Sequence, residues 1–356
     1  NAINANNGTG TITATISDDV AATLATLTGT HAYTTTIAAG AAAAADLLLI
    51  DTATSVAVGA GAVTSITGDA TAIAAVATAI GAGTITHAGN WNSAPTGTAT
   101  VTQANAINAN NGTGTITATI SDDVAATLAT LTGTHAYTTT IAAGAADIAD
   151  INSINTATSV DVGATAVTAI TDTTGVNTID LTAAGITWGT TISITGGTGV
   201  DAITLRATDA AKETLVFSAV AGNGADTIAN FTAGASKDIL KVTALATLTD
   251  TAGDTVQVAS TGTAAIAVGT AKAWIVTDAA AADWSDVLTV LGAAMDESGT
   301  GSEKSVFLIA NGADTRVYLY QNDGTDNTVQ AGEITLVGTV SSVLASTFDV
   351  SNVVVV

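Results

Sequence analysis

Apolar and polar residues alternate in short runs along this chain, and these runs predict brief strands that alternate with brief helices. In "TITATI", residues 11–16, Thr alternates with Ile or Ala at the period of two that a half-buried strand requires. The following "SDDVAATLATL", residues 17–27, places Val20, Leu24 and Leu27 on one helical face and opens with Ser and Asp, which favour helix N-caps. The pattern therefore predicts a strand followed by a short amphipathic helix.

This strand-and-helix pattern occurs twice. Residues 1–42 are identical to residues 105–146, at an offset of 104. The offset continues beyond the identical part, because "DTATSVAVGAGAVTSIT" from Asp51 aligns with "NTATSVDVGATAVTAIT" from Asn155 without insertion or deletion. The chain therefore contains two copies of one block in register.

A smaller unit of roughly 20 to 25 residues recurs within each block. Apolar residues spaced three apart predict a further helix in each copy, namely Ala44, Leu47 and Ile50 in the first and Ile148, Ile151 and Ile154 in the second. Units of this length cannot bury an apolar face alone, so we expect a mainly β fold, an elongated repeat solenoid of short strands and short helices. Low complexity or disorder is the competing interpretation, which the 47% hydrophobic fraction and the regular spacing oppose.

The chain is weakly and unevenly charged. Only 10% of its residues are charged, against roughly 25% in ordinary soluble domains. The net charge is −23, and all seven basic residues follow position 205, whereas thirteen Asp precede it. Such a field repels a phosphate backbone, so no nucleic-acid partner is expected, and it attracts divalent cations. Few charges also favour the packing of copies against one another, although a soluble secreted stalk has the same composition.

Three missing features limit the class of protein further. Cysteine is absent, which removes disulfides, thiolate catalysis and sulfur-bound metals. No run of eighteen apolar residues occurs, so no transmembrane segment is expected, and no N-terminal signal segment is recognisable. Because the chain begins at Asn1 within a repeat, we expect it to be a portion of a longer polypeptide.

The composition changes near residue 182, where tryptophan, clustered glycines and basic residues arrive. We therefore place boundaries near residues 182 and 245, with a repeat solenoid at 1–182 and a C-terminal β-rich domain at 246–356. The glycine motifs between these boundaries predict a calcium β-roll-like segment at 183–245. Within the last domain, "SVFLIANGADTRVYLYQ" predicts a hairpin, with two alternating strands on either side of a turn at 311–314.

The strongest local motif is "GGTGVDAIT", residues 196–204, which matches G-G-x-G-x-D-x-U-x at every defined position. This nonapeptide winds calcium-binding parallel β-rolls, since glycine allows the tight turn, Asp supplies a hard oxygen ligand and the apolar residue points inward. A weaker match, "AGNGADTIA", begins 25 positions later, with Ala221 in place of the first glycine.

Calcium in such a roll lies between successive turns, so ligands are expected from both motifs. Because the motifs are 25 positions apart rather than nine or eighteen, "LRATDAAKETLVFSAV" must loop out or form a coil of its own. Glycine turns that join strands without any metal are the alternative interpretation of the same residues.

Residues 190–245 resemble the C-terminal region of RTX proteins, which are exported by type I secretion. Besides the nonapeptide, the resemblance depends on a D-x-I-x-x-F-x-x-G pattern and a following acid, found here at Asp226, Ile228, Phe231, Gly234 and Asp238. The Thr/Ala-rich repeats resemble bacterial, notably cyanobacterial, surface-layer and adhesin-like proteins. The resemblance implies a C-terminal export signal, an extracellular location at the cell surface, and Ca2+ as cofactor. The implied metal-site residues are Gly196, Gly197, Gly199, Asp201, Gly222, Gly224, Asp226 and Asp238.

Groups suited to catalysis are few in this sequence. No H-E-x-x-H, G-x-S-x-G or Walker-type motif occurs, and His31 and His135 are duplicates, which argues against a unique catalytic role for either. The adjacent acids Asp18–Asp19 and Asp122–Asp123 are expected to cap helices rather than to form a catalytic dyad. Trp91, close to the only proline, is expected to be either an exposed anchor or a core residue at a break in the solenoid.

These features predict an extracellular structural protein, not an enzyme, that self-assembles into a surface layer or filament stabilised by Ca2+. Its expected partners are further copies of itself in a homo-oligomer, calcium ions and cell-surface polysaccharide. Two other interpretations stay open. One is a fibrillar adhesin in which the repeats form a monomeric spacer, and the other is the C-terminal part of an exported RTX hydrolase.

Overall fold

The computed structural model describes residues 1–87, 89–172, 175–207, 211–218, 224–243, 256–259, 266–267, 273–280, 295–296, 304–324 and 330–355. Strands predominate over helices, which confirms the predicted mainly β class. The chain divides into two compact units: unit 1 comprises Asn1–Ala142, Ala149–Ala164 and Gly185–Thr187, and unit 2 comprises Ala143–Ile148, Thr165–Ala184 and Trp188–Val356. The boundaries near 182 and 245 stay predictions. In the described ranges, no helix is long and apolar enough to cross a membrane.

The helices follow the predicted apolar spacing where that spacing is longest. The α-helices are α1 Ala2–Ala5, α2 Ala21–Leu24, α3 Ala44–Ala53, α4 Ala70–Ala82, α5 Val101–Asn108, α6 Ala125–Leu128 and α7 Ile148–Ala157. In α3 the predicted face, Ala44, Leu47 and Ile50, is wholly buried, and its counterpart in α7 is buried as well. Helix α4 begins where Asp69 Oδ1 accepts a hydrogen bond from the Ala72 amide at 2.9 Å. It ends at Gly83, whose φ of 79° provides a left-handed C-cap.

The helix predicted over 17–27 is much shorter than its sequence pattern suggests. Helices α2 and α6 are single turns preceded by valine, without a side-chain cap, so the capping role predicted for Asp18–Asp19 and Asp122–Asp123 is wrong. Val20 is 56% exposed, whereas Leu24 is buried, because a single turn offers one inward position. Asp122 instead accepts a hydrogen bond from the Val101 amide at 2.6 Å.

The strands are short. In chain order they are β1 Thr13–Thr15, β2 Ala32–Thr34, β3 Gly40–Ala43, β4 Val58–Gly59, β5 Val63–Thr67, β6 Ile85–Thr86, β7 Asn92–Ser93, β8 Thr98–Ala99, β9 Thr117–Ile120, β10 Ala136–Thr138, β11 Gly144–Asp147, β12 Val162–Ala164, β13 Val167–Thr171, β14 Thr178–Asp180, β15 Ile186–Trp188, β16 Thr191–Thr195, β17 Ala202–Thr204, β18 Lys212–Phe217, β19 Asp226–Ala229, β20 Ile239–Val242, β21 Val256–Ala259, β22 Ile266–Ala267, β23 Ala273–Ala280, β24 Met295–Asp296, β25 Lys304–Asn311, β26 Asp314–Gln321, β27 Ile334–Val340 and β28 Val353–Val355. Three 3-10 helices lie in the same described part, at Ala331–Glu333, Ala345–Thr347 and Val350–Asn352.

In unit 1, strands pair in parallel with partners 19 to 27 positions along the chain, in the orders β1-β2, β3-β5-β7, β4-β6 and β8-β9-β10. The two copies pair in the same register, since Ala14 lies opposite Tyr33 and Ala118 lies opposite Tyr137. Trp91 is 0% exposed, so it is a core residue and not an exposed anchor. The core of this unit is therefore built between neighbouring repeat units.

Unit 2 contains two larger sheets. The first has six parallel strands in the order β11-β13-β16-β18-β20-β28. The second has eight strands in the order β14-β17-β19-β27-β26-β25-β23-β21, of which β26 runs antiparallel to β25 and β27. The predicted hairpin is confirmed, because β25 and β26 pair from Lys304–Gln321 to Asn311–Asp314.

Candidate metal site

Three glycines stack on one another at the start of β14, β17 and β19. Gly175, Gly199 and Gly224 have φ values of 98°, 125° and 75°, a backbone conformation that residues with a Cβ rarely adopt. A Cβ added to Gly199 would overlap the carbonyl oxygen of Gly175, and one added to Gly224 would overlap that of Gly199. Glycine is required at the later two positions both by the turn and by the close approach of neighbouring backbones.

Two positions after each glycine, a polar residue links one turn to the next. Each glycine, together with this polar residue and the strand that follows, is called a glycine rung. The Oδ1 atom of Asp201 accepts a hydrogen bond from the Asn177 amide at 2.9 Å, and Oδ1 of Asp226 accepts one from the Asp201 amide at 3.0 Å. Asp201 is 1% exposed and Asp226 is 3% exposed. The two predicted ligands therefore lie on adjacent rungs, where one oxygen of each carboxylate satisfies a backbone donor.

The same rungs place isoleucine in the core, as the nonapeptide pattern predicts. Ile179, Ile203 and Ile228 lie opposite one another in β14, β17 and β19 and are all buried. The first of these glycine turns, "GVNTI" at 175–179, is not among the predicted motifs. Its signal is visible beside "GVDAI" and "GADTI", which follow at intervals of 24 and 25 positions.

The second carboxylate oxygen of Asp201 is the most distinctive atom of this region. Oδ2 is buried and has no hydrogen-bond partner within the described residues. A Cβ on Gly196 would lie 2.5 Å from this oxygen, so glycine leaves the space beside it free. Burial raises the pKa of Asp201, the hydrogen bond from the Asn177 amide lowers it, and the charge of Asp172 raises it. A cation next to this oxygen would offset both the burial and the nearby negative charge.

Asp238 belongs to a different cluster. Its Oδ1 accepts a hydrogen bond from the Glu213 amide at 3.0 Å and its Oδ2 accepts one from the Thr232 amide at 2.8 Å. Glu213 is 0% exposed, and the Nε of Arg206 lies 2.6 Å from its Oε1. The pKa of Glu213 is raised to about 7, chiefly by burial and in smaller part by Asp238, against the opposing effect of Arg206. Of this carboxyl pair, Asp238 is a predicted metal-site residue and Glu213 is not.

The remaining predicted metal-site residues are Gly197 and Gly222. Gly197 has a φ of 82° and turns the chain just before Gly199, whereas Gly222 lies outside the described residues. Within the part of the chain that the structure describes, no group of three or more His, Asp or Glu side chains could hold a metal ion. A calcium ion at Asp201 would therefore need carbonyl or water oxygens as well, since Ca2+ takes about six to eight oxygen ligands.

The duplicated histidines of unit 1 make the same contacts in both copies. The Nε2 of His31 lies 2.6 Å from Oδ1 of Asn4, and the Nε2 of His135 lies 2.7 Å from Oδ1 of Asn108. Each imidazole also packs edge-on against the tyrosine two positions later, with ring centroids 5.4 Å apart. Burial lowers the pKa of His135. These contacts tie a helix to a strand in each copy and support a structural role.

The chemistry available at the glycine rungs is that of hard oxygen ligands. Carboxylates such as those of Asp201 and Asp172 suit Ca2+ or Mg2+ better than a soft transition metal. Comparison of the chain with protein-family models, with curated proteins and with solved structures finds no match.

Proposed function

We propose that this chain is an extracellular structural protein that self-assembles into a surface layer or filament and is stabilised by Ca2+. The observation that carries the proposal is the ladder of glycine rungs at 175, 199 and 224. This ladder joins successive repeat units and leaves one buried oxygen of Asp201 without a protein partner in the described residues.

Parallel pairing at near-constant sequence intervals supports an arrangement of stacked coils, a β-solenoid. Strand partners lie 19 to 27 positions apart in unit 1, and the glycine rungs of unit 2 are 24 and 25 positions apart. In such a stack each coil covers the apolar face of its neighbour, so more coils add length without requiring new chemistry. A protein whose task is to extend or to cover a surface is well served by this construction.

Calcium is the proposed cofactor, and the Asp201 carboxylate is its proposed main ligand. An ionised carboxylate without a partner is costly to bury, and a bound cation would remove that cost. The excess of negative charge before position 205 would raise the local concentration of divalent cations. Asp226 and Asp238 contribute less in this proposal, because their described hydrogen bonds serve backbone amides.

The place of action follows from the RTX resemblance at residues 190–245. That resemblance supports export by type I secretion and a location at the cell surface, where polysaccharide is the proposed non-protein partner. The small fraction of charged residues, 10%, supports lateral contacts between copies, because few charges would have to be desolvated at an interface.

Calcium titration of the full chain tests the cofactor. At a hundredfold excess over its dissociation constant, Ca2+ should stabilise the folded chain by about 2.7 kcal/mol. Asp201→Asn should remove this response, since the amide oxygen still accepts the Asn177 hydrogen bond but lacks the charge. Asp161→Asn, at an exposed position, is the matched control and should respond like the wild type. An equal calcium response in Asp201→Asn, measured by calorimetry, would contradict the proposed site.

Electron microscopy with and without a calcium chelator tests the assembly. We expect ordered sheets or filaments in calcium and their loss in chelator. Monomeric particles in both conditions would favour the adhesin spacer instead. Hydrolytic activity of the complete polypeptide would favour the exported hydrolase.

A further inference from the structure

A groove in unit 1 lies between the segment that follows α6 and the helix α7. It has a volume of about 450 Å³. Leu131 and Ala157 are buried in its lining, and three exposed hydroxyl side chains, those of Thr134, Ser153 and Thr156, line it as well. Small-molecule sites have volumes of about 300 to 1,000 Å³, so this groove suits a small ligand.

The three hydroxyl groups already donate their protons to backbone carbonyls. The Oγ of Ser153 donates to the Ala149 carbonyl at 2.8 Å, and the Oγ1 of Thr156 donates to the Asn152 carbonyl at 2.9 Å. The Oγ1 of Thr134 donates to the Thr156 carbonyl at 3.2 Å. A hydroxyl oxygen keeps the capacity to accept a hydrogen bond after its proton is used. The groove therefore presents acceptors to a ligand that carries donors.

The charge around the groove narrows the class of ligand. None of the described residues that line it is charged. All basic residues of the chain follow position 205, whereas thirteen Asp precede it, so an anionic ligand would be repelled. An extended peptide would bring carbonyl oxygens as well as amides, and the three hydroxyl protons are already donated elsewhere. A neutral ligand that has several hydroxyl donors and an apolar C–H surface fits this lining best.

The first block has the same lining residues with a single difference. Ser153 corresponds to Leu49 at the offset of 104, and the other six lining residues are identical in the two blocks. Leu49 is 53% exposed on α3, so the fold accepts a leucine at this place. That leucine adds bulk and removes one hydrogen-bond acceptor. The residues that match the other six are Ala25, Leu27, Gly29, Thr30, Thr52 and Ala53.

We propose that the groove of the second block binds a sugar unit of a neutral polysaccharide. The sugar hydroxyl groups donate to Thr134, Ser153 and Thr156, and its C–H face packs against Leu131 and Ala157. The inference rests on the proposed function for the source of the sugar, which is the polysaccharide of the cell surface. All residues of the groove belong to unit 1, whereas the proposed calcium ligand belongs to unit 2, so the two sites can be tested separately.

Titration of the full chain with methyl glycosides of glucose, galactose and mannose tests the proposal, with amide chemical shifts as the measurement. We expect at least one glycoside to cause saturable shifts at Gly133, Thr134 and Ser153. The dissociation constant should be about 1 to 10 mM, since the probe has only about a dozen non-hydrogen atoms.

Three substitutions use the two blocks as controls for each other. Ser153→Leu introduces the residue of the first block and should weaken sugar binding by roughly tenfold or more, because an acceptor is lost. Asn152→Leu introduces the equivalent of Leu48 outside the lining residues and should bind like the wild type. Leu49→Ser should create a second site, seen as new saturable shifts at Gly29 and Thr30. Unchanged shifts elsewhere in unit 1 report that each variant is folded.

The proposal is wrong if none of the glycosides shifts these amides, or if the shifts persist unchanged in Ser153→Leu. Shifts at the same amides that grow with protein concentration, without sugar, would assign the groove to a second copy of the chain and would also overturn the proposal. Sugar binding without ordered assemblies in electron microscopy would contradict only the proposed self-assembly. Ordered assemblies without sugar binding would contradict only this inference.

Discussion

Residues 1–16 and 105–120 have the same sequence, but the apolar side chains of the second segment, which follows residues 89–104, are buried more deeply. Ile12 and Ile16 are half-buried, whereas their counterparts Ile116 and Ile120 are buried. The difference comes from the neighbouring segment and not from the sequence itself. Residues 90–92, which contact the amides of Thr113 and Thr115, lie beside the second segment and help to bury its apolar side chains.

The largest effect on the free energy of unfolding should come from truncating the equivalent isoleucines Ile107 and Ile3. Ile107→Ala should lower the free energy of unfolding of unit 1 by about 3 to 4 kcal/mol, because it leaves a cavity in a packed core. Ile3→Ala, at a position 71% exposed, should change it by less than about 0.5 kcal/mol. Urea unfolding of both variants checks the pair, and equal losses would show that the two faces are equally buried in solution.

A smaller effect is expected from adding a methyl group at the paired glycines. Gly114→Ala should destabilise by about 2 to 3 kcal/mol, since the new Cβ would force the backbone at Trp91 away. Gly10→Ala should be tolerated within about 0.5 kcal/mol, because only the movable Asn7 side chain lies near. Thermal melting of the two variants measures the difference, and a destabilised Gly10→Ala would mean that backbone atoms pack closely against Gly10 in solution.

The smallest effect should be a pH dependence from His135. Burial lowers the pKa of this imidazole, so the unfolded chain takes up the proton at a higher pH than the folded chain. The stability that the neutral imidazole contributes is complete above the unfolded pKa of about 6.5 and is lost as the pH falls through the folded pKa. Unfolding of the wild type at pH 5 and pH 7.5 should reveal this loss.

His135→Gln should flatten the pH dependence between these two values. His31→Gln removes the same contacts from the first copy, to Asn4 and to the adjacent tyrosine, and controls for their loss. A pH dependence that survives unchanged in His135→Gln would assign the effect to another group.

Features set by local spacing could be predicted from the sequence. Leu47 and Ile50 on the longer helix α3, and the β25–β26 hairpin, depend on residues only a few positions apart, so their apolar periods are direct signals. The inward isoleucine of the nonapeptide, Ile203, is a signal of the same kind.

Features set by neighbours could not be predicted in this way. The sequence pattern of 17–27 is compatible with a longer helix, but a single turn is formed and Val20 stays exposed. Asp201 and Asp238 share a motif context, yet the first lies on the glycine rungs and the second binds the Glu213 amide. Ile3 and Ile107 lie in identical sequences, so their different exposure could not be predicted from the residues that follow them.

In unit 2, β27 and β28 pair with strands that lie far earlier in the chain, and this affects the order of folding. β17 pairs with β19 and β18 pairs with β20, and the paired residues are about 25 positions apart. On their other edges, β19 pairs with β27 and β20 pairs with β28, which lie more than 100 positions further along the chain. Gly234 and Asn352, which are hydrogen-bonded at 2.8 Å, lie 118 positions apart. Contacts of such high sequence separation form slowly, because the entropy of a long loop is lost before any contact compensates for it. The rate at which unit 2 folds is therefore set by the pairing of β27 with β19 and of β28 with β20.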